Sequence, residues 1–219
     1  MRNVLSAIAM VAVLASCGGG GGGTPGGPAA PPKPVPVVTG SAFDTFASFE
    51  TAFDAFEAEK TAQFHTAYTG GVSFPTSGTA SFSGMYRSVL DGAGTPTVLI
   101  GLADVTADFE AGTIAGGADS FVGQIGGGAT GFYAGSVTFT DGKIGKDAGL
   151  LPEPRQNDFG FDYAGTLTGN GQVIELSGSN QMGKFLQTPI TGIEATGTST
   201  ATINGLPVTD EMSLYADRD

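Results

Sequence analysis

The sequence predicts an all-β fold, an antiparallel β-barrel of eight strands, preceded by one amphipathic helix. Three observations carry this prediction: apolar and polar residues alternate along several segments, glycine-containing turn dipeptides separate those segments, and phenylalanines recur at helical spacing before them. A chain of 219 residues has room for one such domain. The predicted organisation is a signal peptide over 1–16, a lipidated Cys17 with a tether over 17–40, a helix over 41–66 and a barrel over 67–219.

The alternating segments predict strands that bury one face. Ala80, Phe82 and Tyr86 alternate with serines, and similar patterns cover 99–109, 133–139 and 159–167. The predicted turns between strands are Asp91-Gly92, Asp141-Gly142, Asn170-Gly171 and Asn204-Gly205. Roughly eight strands fit this spacing, and closing them into a barrel removes exposed edge strands. The polar face carries Ser, Thr and Asp instead of an apolar band, which favours a barrel outside the bilayer.

A stripe of aromatic residues predicts the helix. It consists of Phe43, Phe46, Phe49, Phe53 and Phe56, at spacings of three and four residues. Ser41 and Asp44 suit its start, and Lys60 near its end suits the helix dipole. The polar face is acidic, so anionic lipid would repel it. Two interpretations of the stripe stay open, packing on the downstream sheet and binding to a partner.

The N-terminus has the features of a bacterial export signal. Arg2 supplies a positive charge, and the apolar stretch Val4–Leu14 is shorter than the about 20 residues that span a bilayer. Leu14-Ala15-Ser16-Cys17 then resembles the lipobox of bacterial lipoproteins, in which the chain is cleaved before the cysteine and its thiol is diacylated. The alternative is a free thiol in an ordinary secreted protein. Gly18, in place of the Asp of inner-membrane lipoproteins, favours the outer membrane.

Composition limits the remaining classes of function. The glycines of 18–23 and the Pro-rich stretch 24–36 bury no core and predict a tether. A net charge of -12 with 9 Lys and Arg gives no basic face for a nucleic acid. One Cys and one His exclude a disulfide framework, Cys-based zinc sites and nearly all histidine-dependent catalysis.

Two weaker chemical patterns are outweighed by structural interpretations. His65 with Tyr68 nearby could ligate a haem, but a histidine at a helix C-terminus more often binds backbone carbonyls. Asp104, Asp108 and Glu110 could meet around Ca²⁺, but their spacing suits a solvated strand face better. The sequence therefore predicts no catalytic residue, no metal and no cofactor, and a protein that is not an enzyme.

The anchor and two strand blocks together resemble a known family. Cys17 is followed by six glycines, and the blocks are Ser77–Gly84 and Ala103–Phe109, the latter followed by Gly112–Gly116. This pattern is similar to the transferrin-binding protein B-like surface lipoproteins, of which the chain would be a single-barrel member. The resemblance implies a barrel, a lipid anchor and a role in binding a ligand or a protein.

The expected protein is an outer-membrane lipoprotein, facing the periplasm or the cell surface. Its expected partners are the membrane, through the lipid anchor, and a solute, a haem-like ligand or a protein. No nucleic-acid partner is expected. The alternative is a structural envelope lipoprotein that binds no small ligand.

Overall fold

The computed structural model describes residues 45–66, 74–92, 94–145, 157–187 and 189–219, with the side chains of 64–66 left out. One helix, α1 (Phe46–Thr66), precedes eight strands. The strands are β1 (Thr79–Asp91), β2 (Thr97–Asp108), β3 (Thr113–Ile125), β4 (Thr130–Ile144), β5 (Asp158–Gly169), β6 (Gln172–Leu186), β7 (Gly192–Ile203) and β8 (Leu206–Arg218). In these ranges no helix is both long and apolar enough to cross a membrane.

The strands form a closed antiparallel barrel in which each strand pairs with its neighbours in sequence. β1 closes the barrel by pairing with β8, for example Tyr86 opposite Leu214. The predicted fold class is therefore confirmed. We call the end with the turns β1–β2, β3–β4, β5–β6 and β7–β8 the hairpin end, and the other the opposite end. Asn170-Gly171 and Asn204-Gly205 form two of these turns, with the positive φ at both residues that a type I′ turn requires.

The inward faces are those that the alternation predicts. The buried set on β1 includes Ala80, Phe82 and Tyr86, and on β5 it runs from Phe159 to Leu167. Glycines on neighbouring strands leave the space that the aromatic rings fill. A Cβ at Gly183 would lie 2.2 Å from the Phe159 ring, and one at Gly178 would lie 2.2 Å from the Tyr163 ring. The high glycine content thus accommodates a crowded aromatic interior.

The helix packs against the outside of the barrel wall. Phe46, Phe49 and Phe53 are buried with four outward-facing side chains, Met85, Ile100, Val122 and Tyr215. The Phe53 ring meets the Tyr215 ring edge-on, with 5.4 Å between their centroids. The Arg87 guanidinium lies 4.2 Å from the centroid of the Phe53 ring. Packing on the sheet, the first interpretation of the stripe, is confirmed for these three residues. Ser41, Phe43 and Asp44 lie outside the described residues.

One predicted turn is wrong. Asp141-Gly142 does not end a strand, because β4 continues to Ile144. The pairing of β4 with both neighbours shifts register here, and Asp141 has a φ of 53°. A Cβ at Gly142 would lie 1.8 Å from the Ile114 carbonyl oxygen. The dipeptide therefore forms a bulge within the strand, where the same positive φ and lack of a side chain are needed.

Candidate functional site

The interior of the barrel is filled by side chains from all eight strands. Aromatic rings contact one another through the central layer, as Tyr86 does with Phe121, Phe139 and Tyr163. Among the described residues, a pocket beside Phe139 and Phe159 has a volume of only 10 Å³. That volume is about the least that holds one water molecule, whereas a ligand pocket measures several hundred Å³.

A polar cluster interrupts this apolar interior around Asp210. The Ser88 hydroxyl donates to one carboxylate oxygen at 2.5 Å, and the Tyr163 hydroxyl donates to the other at 2.6 Å. The hydroxyl oxygens of Ser199 and Tyr163 are 2.6 Å apart, and those of Tyr86 and Ser88 are 3.3 Å apart. Asp210 and Ser88 are fully buried. The cluster thus satisfies one buried carboxylate with hydroxyl groups.

Burial sets the protonation behaviour of this cluster. It raises the pKa of Asp210, while hydrogen bonds from Ser88, Tyr163 and Ser199 oppose the increase. Burial and then the Asp210 charge raise the pKa of Tyr163 well above its usual range, and burial does the same for Tyr86. The phenols therefore stay neutral donors. The Ser88 hydroxyl is buried and donates a hydrogen bond to the Asp210 carboxylate.

The strand pairing of the barrel wall is irregular beside this cluster. Between Ser177 and Met182 the pairing of β6 with β7 is interrupted, and Asn180 takes a φ of 57°. Gln181 covers the interruption: a Cβ at Gly197 would lie 1.6 Å from its Oε1. That Oε1 is buried without a hydrogen-bond partner among the described residues. Ser199, although directed inward, is half-exposed here.

A groove runs along the outer wall of β1–β4. It has a volume of about 590 Å³, because the outward side chains there are small. Its lining includes Ser81, Asp104, Asp119, Ser136 and Thr138. The surface is concave, polar and acidic, and it lies outside the barrel.

The hairpin end has a different surface. Phe132 is 66% exposed, Val173 45% and Leu206 63%, and each belongs to a different hairpin. We call these three residues the apolar rim. The four turns that connect the strands at this end contain no charged residue, and the exposed Asp91 ends β1 beside one of them. Charged residues gather instead at the opposite end, for example Asp108, Glu110 and Asp219.

The predicted site residues are placed as follows. Cys17 and Tyr68 lie outside the described residues, as does the side chain of His65 in α1. Asp104 accepts a hydrogen bond from Ser83 at 3.1 Å. Asp108 accepts from the backbone amides of Glu110 and Ala111 at 3.0 and 2.9 Å, so it caps the β2–β3 turn. Within the described ranges no three His, Cys, Asp or Glu side chains are grouped so that they could hold a metal ion.

Asp210 is not among the residues predicted from the sequence. Its signal was available, since Asp210 occupies an inward position between Val208 and Met212 in the alternation of β8. Its partners, Ser88 and Tyr163, are 122 and 47 residues away in the chain. Only the closed topology brings these groups together.

Comparison of the sequence with known proteins identifies no relative. The sequence matches no protein-family model, and it has no significant match among curated proteins or solved structures.

Proposed function

We propose that this protein is an outer-membrane lipoprotein, anchored through Cys17, that binds a protein ligand on the outside of its barrel. The anchor rests on the lipobox, Leu14 to Cys17, and the tether that follows it. The choice of a protein ligand over an enclosed solute or haem-like compound rests on the filled interior. A solute that displaced these side chains would have to open a packed aromatic core.

The outer groove on β1–β4 is where we expect the ligand to bind. Its volume is in the range of binding clefts, and its floor is formed by strands of a closed barrel, which makes it preorganised. Asp104 and Asp119 would favour a ligand surface that carries Lys or Arg. The alternative, a structural lipoprotein without a specific ligand, predicts that this groove contacts nothing in particular.

Photo-cross-linking in intact cells separates these two functions. A photoreactive phenylalanine analogue replaces Thr138, an exposed residue in the groove, and in a matched control it replaces Thr198, an exposed residue of β7. Binding of a protein ligand predicts a discrete adduct from position 138 that the control lacks. No discrete adduct from position 138 would favour the structural alternative. A small molecule that copurifies in stoichiometric amount would contradict the choice of a protein ligand.

The anchor has its own test. Cys17→Ser is expected to abolish lipidation and leave an uncleaved precursor, because the motif contains the only cysteine of the chain. Metabolic labelling with a fatty acid and detergent partitioning measure this. A variant that partitions like the original protein would refute lipidation at Cys17.

A further inference from the structure

We propose that the apolar rim docks the hairpin end of the barrel onto the surface of the membrane that carries the anchor. This inference rests on the anchor in the proposed function. The membrane-facing side chains would be Phe132, Val173 and Leu206, with the uncharged turns around them.

The charge distribution supports a lipid surface as the occupant. The chain has a net charge of -12, so most of its surface is repelled by anionic lipid. At the hairpin end the turns themselves, among them Gly126–Gly128, Asn170-Gly171 and Asn204-Gly205, are uncharged, while exposed Asp91 and Glu175 lie on the adjoining strands. The uncharged turns let this end approach a bilayer with Asp91 and Glu175 as the nearby exposed anions, and its exposed Phe and Leu can enter the interfacial region.

The size of the rim argues against a free protein partner or a second copy. Three partly exposed side chains offer on the order of 300 Å² of apolar surface, while a stable protein interface buries about 800 Å² on each partner. Three side chains distributed over β4, β6 and β8 bind weakly by themselves. A membrane held nearby by a covalent lipid and a tether is at high effective concentration, and weak docking then suffices.

The direction of α1 is compatible with docking of the hairpin end, because the helix begins on that side of the barrel. The C-terminal part of the helix reaches the opposite end, where Lys60 pairs with Asp217 and the Thr191 hydroxyl lies 3.5 Å from Gln63. Its N-terminal part belongs to the cluster with Ile100 and Val122, each three residues from the hairpin end of its strand. Thr45, the first described residue, therefore lies on the side of the apolar rim, and the predicted tether ends before it, at residue 40.

The absence of tryptophan from the chain allows a direct measurement. Phe132→Trp introduces a single reporter at the rim, and Glu110→Trp introduces one in a turn at the opposite end. In both chains a hexahistidine tag replaces residues 1–16 and binds a chelating lipid in vesicles of phosphatidylethanolamine and phosphatidylglycerol. This artificial anchor makes the test independent of natural lipidation, so a failure of Cys17 lipidation and a failure of docking are distinguishable.

Docking predicts that tryptophan at position 132 emits at shorter wavelength on vesicles and is several-fold less accessible to acrylamide. The reporter at position 110 should change little. Adding Leu206→Asp, at an exposed position that a folded barrel tolerates, should abolish the shift at position 132.

Three results would overturn the proposal. They are an unshifted emission at position 132 on vesicles, an equal shift at positions 132 and 110, and a shift that survives Leu206→Asp. A shift that appears without vesicles and grows with protein concentration would identify a second copy as the occupant. That outcome also overturns the proposal.

Discussion

Replacing Phe53 by Ala tests how strongly α1 is held on the barrel. The Phe53 side chain is fully buried, in edge-on contact with Tyr215 and beneath the Arg87 guanidinium. Removing a buried phenylalanine costs about 3–5 kcal/mol. Loss of the cation–π contact contributes about 0.5–1 kcal/mol of this, because the Arg87 side chain still contacts solvent. Against a typical total stability of about 5–15 kcal/mol, the effect is large.

The loss of stability in Phe53→Ala can be observed in two ways. If helix and barrel unfold together, urea denaturation of Phe53→Ala should lose the whole amount. If α1 can detach first, the loss appears as faster amide hydrogen exchange across 46–63 while the strands remain protected. Both measurements should therefore be made on the same variant.

Glu50→Ala is the matched control, since Glu50 is exposed on the same helix. It should change stability by no more than about 0.5 kcal/mol. Tyr215 provides a second readout: burial first, and then Glu57, raise its pKa to about 12, so detachment of the helix should lower that pKa. Unchanged denaturation and unchanged exchange in Phe53→Ala would refute the packing described for α1.

Three further changes have defined outcomes. Asp210→Asn should flatten the pH dependence of thermal stability. Because the pKa of Asp210 is raised in the folded protein, wild-type stability falls as pH rises from about 4 through that pKa. An equally steep fall in the variant would contradict this role of Asp210. Gly183→Ala should destabilise the barrel by at least about 1 kcal/mol, since its Cβ meets Phe159 and a backbone oxygen, whereas Gly128→Ala should not; chemical denaturation compares them. Lys60→Ala should cost about 3 kcal/mol in the same assay by leaving Asp217 without its buried partner, and a neutral result would refute that pairing.

The fold could be predicted because its signals are local. Each strand carries its own alternation, and Asn170-Gly171 and Asn204-Gly205 specify hairpins through the φ values of two adjacent residues. The same local signal fails at Asp141-Gly142, because a bulge requires the same residue chemistry as a turn. Sequence alone does not say whether the chain reverses there or continues.

The long-range contacts could not be predicted in the same way. Lys60 at the end of α1 suits the helix dipole in any context, yet here it is completely buried and pairs with Asp217, 157 residues away. Asp210 in the β8 alternation indicates a buried polar group, but not which hydroxyls satisfy it. Such pairs depend on closure of β1 on β8, which places distant segments in contact.

For the proposed protein ligand, the side chains packed in the described part of the interior favour the outer surface as the binding place, and α1 covers part of that surface. α1 covers the wall from β8 to β3, where Phe46, Phe49 and Phe53 are buried against outward-facing side chains. The groove extends across β1–β4 and includes Asp219, which follows the last strand at the opposite end. With the apolar rim on the membrane, the opposite end of the barrel would face away from the lipid. The negative potential of Asp104 and Asp119 in the groove would then attract a basic ligand over about a Debye length. A barrel that docked by the opposite end would instead bring the negative potential of the groove close to anionic headgroups. Electrostatic repulsion would then oppose docking on the membrane, and the headgroups would obstruct binding of the ligand.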